Sequence, residues 1–196
     1  MVRVIRVLSP HDQVELLLAA RAIVHAAPLF RPTLPSGTPF QYRMTNCGDL
    51  GWTADRHGYR YVSVHPVTGA PWPTLPPLLQ RIAAEVGGPR FSPQSCLLNV
   101  YRVGESLGWH QDRTEERFDR PIISISLGAS GLFEVAGLTR PTARTKAEQW
   151  TLGSGDILVM SDDDRLRFHR AVDVIDSAHP LIPSGVRLNF TIRQVR

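Results

Sequence analysis

The chain has 196 residues, a formal net charge of +4 at pH 7 and a hydrophobic fraction of 42%, which predicts one domain with a sizeable core. Its two cysteines cannot build a disulfide framework, and they indicate a reducing, cytoplasmic setting. No apolar run of membrane-spanning length and no signal-like N-terminal segment is found, so a membrane or secreted protein is not expected. The modest positive charge permits a polyanionic partner without requiring one.

The first part of the chain predicts two helices separated by irregular and aromatic-rich segments. The opening MVRVIRVL fits either a first strand or a loosely attached arm. Ser9 before a proline is a typical helix start, and the helix is expected to run to Ala27. After a Pro-rich connection, residues 41–61 interleave aromatic side chains with cations, and residues 78–86 predict a short helix.

The second half predicts short strands and no long helix. Turn residues separate the strand-like runs 95–103, 120–128, 131–137, 148–160, 166–172 and 186–195. This spacing predicts a mainly β protein of the α+β class, with a jelly roll as its core and a helix preceding it.

One pair of side chains in the second half has metal-ligand spacing. His110 and Asp112 are two residues apart, and on an extended strand they would point to the same side. A third ligand is expected from His169, which precedes a β-branched run. His179 is the alternative, although its turn-rich loop would fix the ring poorly. Two histidines and one carboxylate form the ligand set of non-haem Fe(II) oxygenases.

The last predicted strand alternates strictly between apolar and polar residues. Leu188, Phe190 and Ile192 share one face, and the other face carries Arg187, Asn189, Thr191 and Arg193. The polar face could simply be solvated. If it lines a barrel, its guanidiniums require anions, and a dicarboxylic acid would supply one.

The chain contains, in this order, the motifs N-x-Y, H-x-D, a single H and R-x-N-x-T-x-R. This order resembles that of the AlkB-type Fe(II)/2-oxoglutarate dioxygenases. The resemblance extends from about Met44 to the C-terminus and includes MTNCGDLGW, RHGYRY, PIISISLG, GDILVM and RLNFTIRQ. It implies a double-stranded β-helix (jelly roll), Fe(II), 2-oxoglutarate and O2. It also implies oxidative demethylation of bases of the 1-methyladenine and 3-methylcytosine type in single-stranded or flipped-base DNA or RNA, with release of formaldehyde and succinate, as in DNA alkylation repair.

The resemblance also implies a role for individual residues. The metal ligands would be His110, Asp112 and His169. The 2-oxoglutarate site would comprise Asn99, Tyr101, Arg187, Asn189 and Arg193, with Arg193 also catalytic near the C1-carboxylate. The substrate contacts would be Met44, Trp52, Tyr59, Thr114 and Arg140, with Trp52 stacked on the base and Arg140 at a phosphate.

The expected organisation is a single monomeric domain spanning residues 1–196. An N-terminal extension with the helix would occupy 1–40, a nucleotide-recognition lid and its supporting helix 41–90, and the catalytic jelly roll 91–196. Without the resemblance, Trp52 and the tyrosines of the lid would be interpreted as core residues of a small sheet.

Two positions depart from the family pattern. Thr114 replaces a second aspartate that contacts the exocyclic amine of the damaged base, and Trp109 replaces a smaller aliphatic residue. An oxygenase acting on another substrate, such as a modified tRNA base or a protein, therefore remains an alternative. A third interpretation, a binding module without catalysis, is disfavoured by the complete ligand set.

Overall fold

The computed structural model describes residues 2–6, 8–175 and 179–196, which form two β-sheets, a two-stranded ribbon and two α-helices. The helices are α1 (Pro10–Ala26) and α2 (Pro77–Gly87), and a 3-10 helix spans Asp162–Leu166. The strands are β1 (Val2–Arg6), β2 (Arg43–Gly48), β3 (Gly51–Asp55), β4 (Gly58–Val62), β5 (Ser95–Arg102), β6 (Leu107–His110), β7 (Ile122–Gly128), β8 (Ser130–Val135), β9 (Glu148–Leu152), β10 (Asp156–Met160), β11 (His169–Ile175) and β12 (Val186–Arg193).

The strands pair antiparallel in an order far from their order in the chain. The larger sheet has the order β1-β10-β7-β12-β5-β2, the smaller sheet β6-β11-β8-β9, and the ribbon consists of β3 and β4. This arrangement confirms the prediction of a mainly β jelly roll with an N-terminal helix. The opening segment is a strand rather than a loose arm, because β1 pairs with β10 along its whole length.

Helix α1 begins where its capping residue predicts. The Ser9 hydroxyl accepts a hydrogen bond from the Asp12 backbone N–H at 3.1 Å, and Pro10 occupies the first turn, where no intrahelical donor is needed. The side chains of Leu16, Leu17, Ala20 and Ile23 are buried. They join residues of α2 and of the larger sheet in the main hydrophobic core.

The central strand β12 separates this core from the interior of the barrel. Its residues Leu188, Phe190 and Ile192 belong to the main core with the helices, as their alternation predicts. The side chains of Arg187 and Arg193 project from the opposite face and line a cavity. The polar face of β12 is therefore buried and does not face solvent.

The division of the chain at residues 40 and 90 stays a prediction. In the structure, β1 from the first part and β2 from the second are both strands of the larger sheet. Among the residues described, neither helix is both long and apolar enough to cross a membrane.

We expect Phe190→Ala to lower the free energy of unfolding by about 3–5 kcal/mol, because it leaves a cavity in the core. Phe190 is 0% exposed, whereas Leu18 on α1 is 57% exposed. Urea titration of both alanine variants provides the comparison, with Leu18→Ala changing stability by less than about 1 kcal/mol. Equal losses would show that Phe190 does not form part of a tightly packed core.

Candidate active site

Strand pairing brings together two histidines that lie far apart in the sequence. His110 at the end of β6 and His169 at the start of β11 are register partners, and their ring centroids lie 4.2 Å apart. Asp112 Oδ1 is 3.9 Å from His110 Nε2, and Asp112 Oδ2 is 3.6 Å from His169 Nε2. One donor atom from each residue lies within 4.8 Å of the others, and we call these three residues the triad.

Contrary to the prediction from the H-x-D spacing, His110 and Asp112 do not lie on one strand. β6 ends at His110, so Asp112 lies in the following loop and not on the same extended strand. The Asp112 carbonyl oxygen accepts a hydrogen bond from Arg165 Nη1 at 2.8 Å. The loop backbone is therefore held by a buried arginine rather than by a strand ladder.

Both imidazoles present the same nitrogen to the centre of the triad. His110 Nδ1 lies 2.9 Å from the Gly108 carbonyl oxygen, and His169 Nδ1 lies 3.0 Å from that of Arg167. A carbonyl can only accept, so each Nδ1 is the donor in its hydrogen bond and each Nε2 is the ring nitrogen left to bind a metal ion. Burial, with a contribution from His169, lowers the pKa of His110 to about 4, which keeps that ring neutral and able to bind a metal ion.

The carboxylate of the triad is held in its charged form. Burial alone would raise the pKa of Asp112, but Arg193 and His169 outweigh burial and hold it well below its usual range. Arg193 Nη2 donates to Asp112 Oδ1 at 2.9 Å. Two imidazole nitrogens and one carboxylate suit Fe(II), so the donor set fits an iron site.

Beside the triad lies a narrow cavity, the inner chamber, between the two sheets. Its polar wall comes from register partners on β5 and β12, where Arg187 faces Tyr101 and Asn189 faces Asn99. Arg187 Nη2 donates to Ser126 Oγ at 2.8 Å. Asn189 Nδ2 donates to Ser124 Oγ at 2.8 Å.

Arg187 is a buried cation in the wall of the inner chamber. It is 5% exposed, and among the described residues no carboxylate pairs with it. Its Nε has no hydrogen-bond partner, and neither has the nearby amide oxygen of Asn99. Burial lowers the pKa of Arg187, although Tyr101 opposes this effect. An unpaired buried guanidinium is costly, so the inner chamber suits an anionic ligand.

A glycine makes room for this arginine. A Cβ atom on Gly131 would lie 2.8 Å from both Cδ and Nε of Arg187, which is too close for an unstrained contact. Gly131 on β8 therefore allows the guanidinium to pass between the sheets.

On the other side of the triad lies a wider opening of about 800 Å³, the outer cleft. Trp52, Tyr59, Thr114 and Arg140 all line it, together with Phe40, Tyr42 and Trp109. The rings of Trp52 and Tyr59 stack at 5.8 Å with an interplanar angle of 19°. Trp52 Nε1 donates to Thr114 Oγ1 at 3.1 Å, so Thr114 fixes the indole at the mouth of the cleft.

The structure does not bring Met44 into either opening. Its side chain is fully buried and packs with the aromatic cluster below the outer cleft. The predicted contact of Met44 with substrate stays a prediction. Trp52 is only partly buried, so it is not an ordinary core residue.

Glu115 and Arg165, to which the sequence assigned no role, and Tyr61, which it named only as an aromatic residue of the predicted lid, complete the surroundings of the triad. Glu115 and Arg165 are 3% and 1% exposed, and Tyr61 donates to Glu115 Oε1 at 2.5 Å. Glu115 follows directly after Thr114 in a run of charged residues, where a solvated side chain is the usual outcome. No local sequence pattern marks these groups as buried.

Two other groups of potential ligands are less suited to iron. His11, Asp12 and Glu15 lie close together at the start of α1, but His11 is exposed and Asp12 is already paired with Arg81 at 2.7 Å. His179 is not part of the triad.

Comparison with known proteins agrees with this geometry. The model of the 2OG-Fe(II) oxygenase superfamily matches residues 2–193. The alpha-ketoglutarate-dependent dioxygenase AlkB homolog of Caulobacter vibrioides is 40% identical over 185 residues, which cover 91% of this chain and 83% of that protein. The nucleic acid dioxygenase ALKBH1 of Homo sapiens is 37% identical over 98 residues, which cover 50% of this chain and 24% of that protein.

A solved structure shares the fold over nearly the whole chain. The solved structure of OsALKBH1 superposes with a TM-score of 0.82 at 24% identity and covers 98% of this chain and 97% of that one. The chain therefore belongs to the 2OG-Fe(II) oxygenase superfamily. Within it, the similarity over most of its length to the Caulobacter protein makes it an AlkB-type dioxygenase that depends on Fe(II) and 2-oxoglutarate.

The two candidates for the third ligand can be separated by metal binding. We expect His169→Ala to weaken Fe(II) binding by roughly 100-fold or more, because even residues outside the direct ligands change metal affinity by 10- to 100-fold. His179→Ala should leave the affinity unchanged. Anaerobic calorimetric titration measures both, and the reverse order of effects would refute the triad.

Proposed function

We propose that this protein oxidatively demethylates N-alkylated bases, of the 1-methyladenine and 3-methylcytosine type, in single-stranded or flipped-base DNA or RNA. The observation that carries the proposal is the triad standing between two different openings. Asn99, Leu107, His110, Asp112 and Arg193 line both the inner chamber and the outer cleft. A cosubstrate on one side and a base on the other would therefore meet at the same metal.

On this proposal His110, Asp112 and His169 hold Fe(II). When bound, iron and 2-oxoglutarate together activate O2 and supply the oxidant that hydroxylates an N-methyl group. The protein positions the reactants. Arg187 would pair with the distal carboxylate of 2-oxoglutarate, since it is a buried cation that no carboxylate of the described residues neutralises.

The other proposed cosubstrate residues surround this arginine. Tyr101 stands under its guanidinium at 5.9 Å, and burial raises the pKa of Tyr101 to about 12, so its hydroxyl stays a donor. Asn99 and Asn189 supply amide groups on the same wall. Arg193 is proposed to act near the C1-carboxylate end, which its hydrogen bond to the proposed metal ligand Asp112 supports.

The outer cleft supports a base as the substrate. Stacked aromatic rings at its mouth offer a surface on which a flat base can lie, and Arg140 at the rim is suited to a phosphate. A nucleobase within a duplex cannot reach a metal at the bottom of a cleft. Single strands or base flipping are therefore required. The human relative named above is a nucleic acid dioxygenase, which agrees with this assignment.

One observation favours the alternative of a different substrate, such as a modified tRNA base or a protein. Among the described residues of the outer cleft, Asp112 is the one carboxylate, and Thr114 already binds the indole of Trp52. A cationic base therefore gains no additional negative partner at Thr114. A monomeric state and a cytoplasmic location are part of the proposal.

Arg187→Ala should raise the KM for 2-oxoglutarate between about 10- and 100-fold, since hydrogen bonds to charged groups contribute about 1.5–3 kcal/mol. Ser126→Ala, which removes only the hydroxyl that Arg187 contacts, should raise it far less. Succinate formation at varied 2-oxoglutarate concentration measures both values. An unchanged KM in Arg187→Ala would place the cosubstrate elsewhere.

The proposed reaction is tested with single-stranded DNA and RNA oligonucleotides that carry 1-methyladenine or 3-methylcytosine, incubated with Fe(II), 2-oxoglutarate and ascorbate. Mass spectrometry should show loss of the methyl group that depends on 2-oxoglutarate, and Trp52→Ala should reduce this loss more than it reduces substrate-free 2-oxoglutarate decay. Intact methyl groups, with a protein that still forms succinate, would contradict the proposal and favour another substrate.

A further inference from the structure

Four buried charged side chains form a continuous network beneath the triad. Arg193 donates from Nη2 to Asp112 Oδ1 at 2.9 Å and from Nη1 to Glu115 Oε1 at 2.8 Å. Arg165 Nη2 donates to Glu115 Oε2 at 3.1 Å. The network contains two carboxylates and two guanidiniums, so its charges balance without involving Arg187.

Glu115 decides how strongly Arg193 interacts with the metal carboxylate. With Glu115 charged, the guanidinium of Arg193 is shared between two carboxylates. Without that charge, Asp112 would be the one carboxylate of the described residues that pairs with this buried cation. A stronger pair would then compete with a metal ion for the same carboxylate.

The loop that follows Asp112 also binds the β3–β4 ribbon, which is part of the predicted lid. Trp52 on β3 and Tyr61 on β4 are register partners. Trp52 Nε1 binds Thr114 Oγ1, and Tyr61 Oη binds Glu115 Oε1. Two neighbouring residues of the ribbon are thus hydrogen-bonded to Thr114 and Glu115, which lie two and three positions after Asp112.

Arg165 connects this segment to the other side of the metal centre. It lies in the 3-10 helix shortly before His169, and it binds the Asp112 carbonyl oxygen and the Glu115 carboxylate together. The loop from Asp112 to Glu115 is therefore fixed at both ends. A displacement of the lid at Tyr61 would be transmitted through Glu115 to Arg193 and Asp112.

We propose that Glu115 is a positioning residue that couples the position of the β3–β4 ribbon to the orientation of the Asp112 carboxylate as a metal ligand. This inference rests on the proposed function, because its purpose is to make 2-oxoglutarate turnover depend on a base beneath the lid. Tyr61 connects the ribbon to Glu115 through its hydroxyl group.

Two variants of the network and one control test the coupling. Glu115→Gln removes the charge at nearly constant size, and Tyr61→Phe removes only the hydroxyl that joins the lid to Glu115. The control is Arg60→Gln, which breaks an exposed ion pair with Asp55 on the same ribbon, where both side chains are 39% exposed.

The first readout is anaerobic Fe(II) binding, together with the visible charge-transfer absorption of the complex with 2-oxoglutarate. Glu115→Gln should lower the Fe(II) affinity by roughly 10-fold or more, as expected for a residue that orients a metal ligand. Arg60→Gln should match the unmodified protein. A lowered Tm of Glu115→Gln with unchanged Fe(II) affinity and absorption would show a purely structural role and overturn the proposal.

The second readout is the ratio of succinate formed to formaldehyde released with a methylated oligonucleotide. Tyr61→Phe should keep its Fe(II) affinity but raise this ratio several-fold, because 2-oxoglutarate is consumed without oxidation of the base. A ratio equal to that of Arg60→Gln would overturn the coupling to the lid. If the unmodified protein releases no formaldehyde, the proposed function fails, whereas the Fe(II) readout still decides the role of Glu115.

Discussion

The central position of β12 imposes the constraint on which the site depends. β12 is hydrogen-bonded to β5 on one side and β7 on the other, so its backbone is satisfied and its side chains must alternate between two environments. The face with Phe190 is covered by the helices, and the opposite face carries Arg187 and Arg193 into the barrel. Two cations are thereby buried, and each needs a negative partner.

The two arginines meet this requirement in different ways. Arg193 is neutralised by Asp112 and Glu115, and these groups raise its pKa well above the usual value even though burial opposes them. Arg187 contacts the Ser126 hydroxyl and the Tyr101 ring but pairs with no carboxylate among the described residues, so we propose an anionic ligand as its counter-charge. Arg193 therefore belongs to a permanent internal network, whereas Arg187 is proposed to bind a dicarboxylic acid.

Antiparallel pairing brings the residues of the triad together. The register of β6 with β11 sets His110 against His169, and the loop after β6 supplies Asp112. The inner chamber opens on one side of this triad and the outer cleft on the other. The same loop then provides Thr114 and Glu115, which bind Trp52 and Tyr61 of the β3–β4 ribbon, so the triad and the proposed base site share a short stretch of backbone.

Much of this arrangement could be predicted from residue patterns. The strand-like runs and the alternation of β12 predicted the jelly roll, and the cap predicted the start of α1, because these depend on local spacing. The H-x-D spacing indicated two ligands, whereas the complete ligand set was implied by the resemblance to the AlkB-type family. The burial of Glu115 and Arg165 could not be predicted, since it depends on partners 50 or more residues away. The loop position of Asp112 and the bond between Trp52 and Thr114 likewise arise from tertiary packing.

The central claim is that one metal ion, held by the triad, separates a 2-oxoglutarate chamber from a substrate cleft. A crystal structure with Mn(II) in place of Fe(II), and with 2-oxoglutarate, tests it most directly. The account predicts metal bound by Nε2 of His110, Nε2 of His169 and the Asp112 carboxylate, with the distal carboxylate of 2-oxoglutarate against Arg187. Metal bound instead by His11, Asp12 and Glu15, or 2-oxoglutarate in the outer cleft, would contradict it.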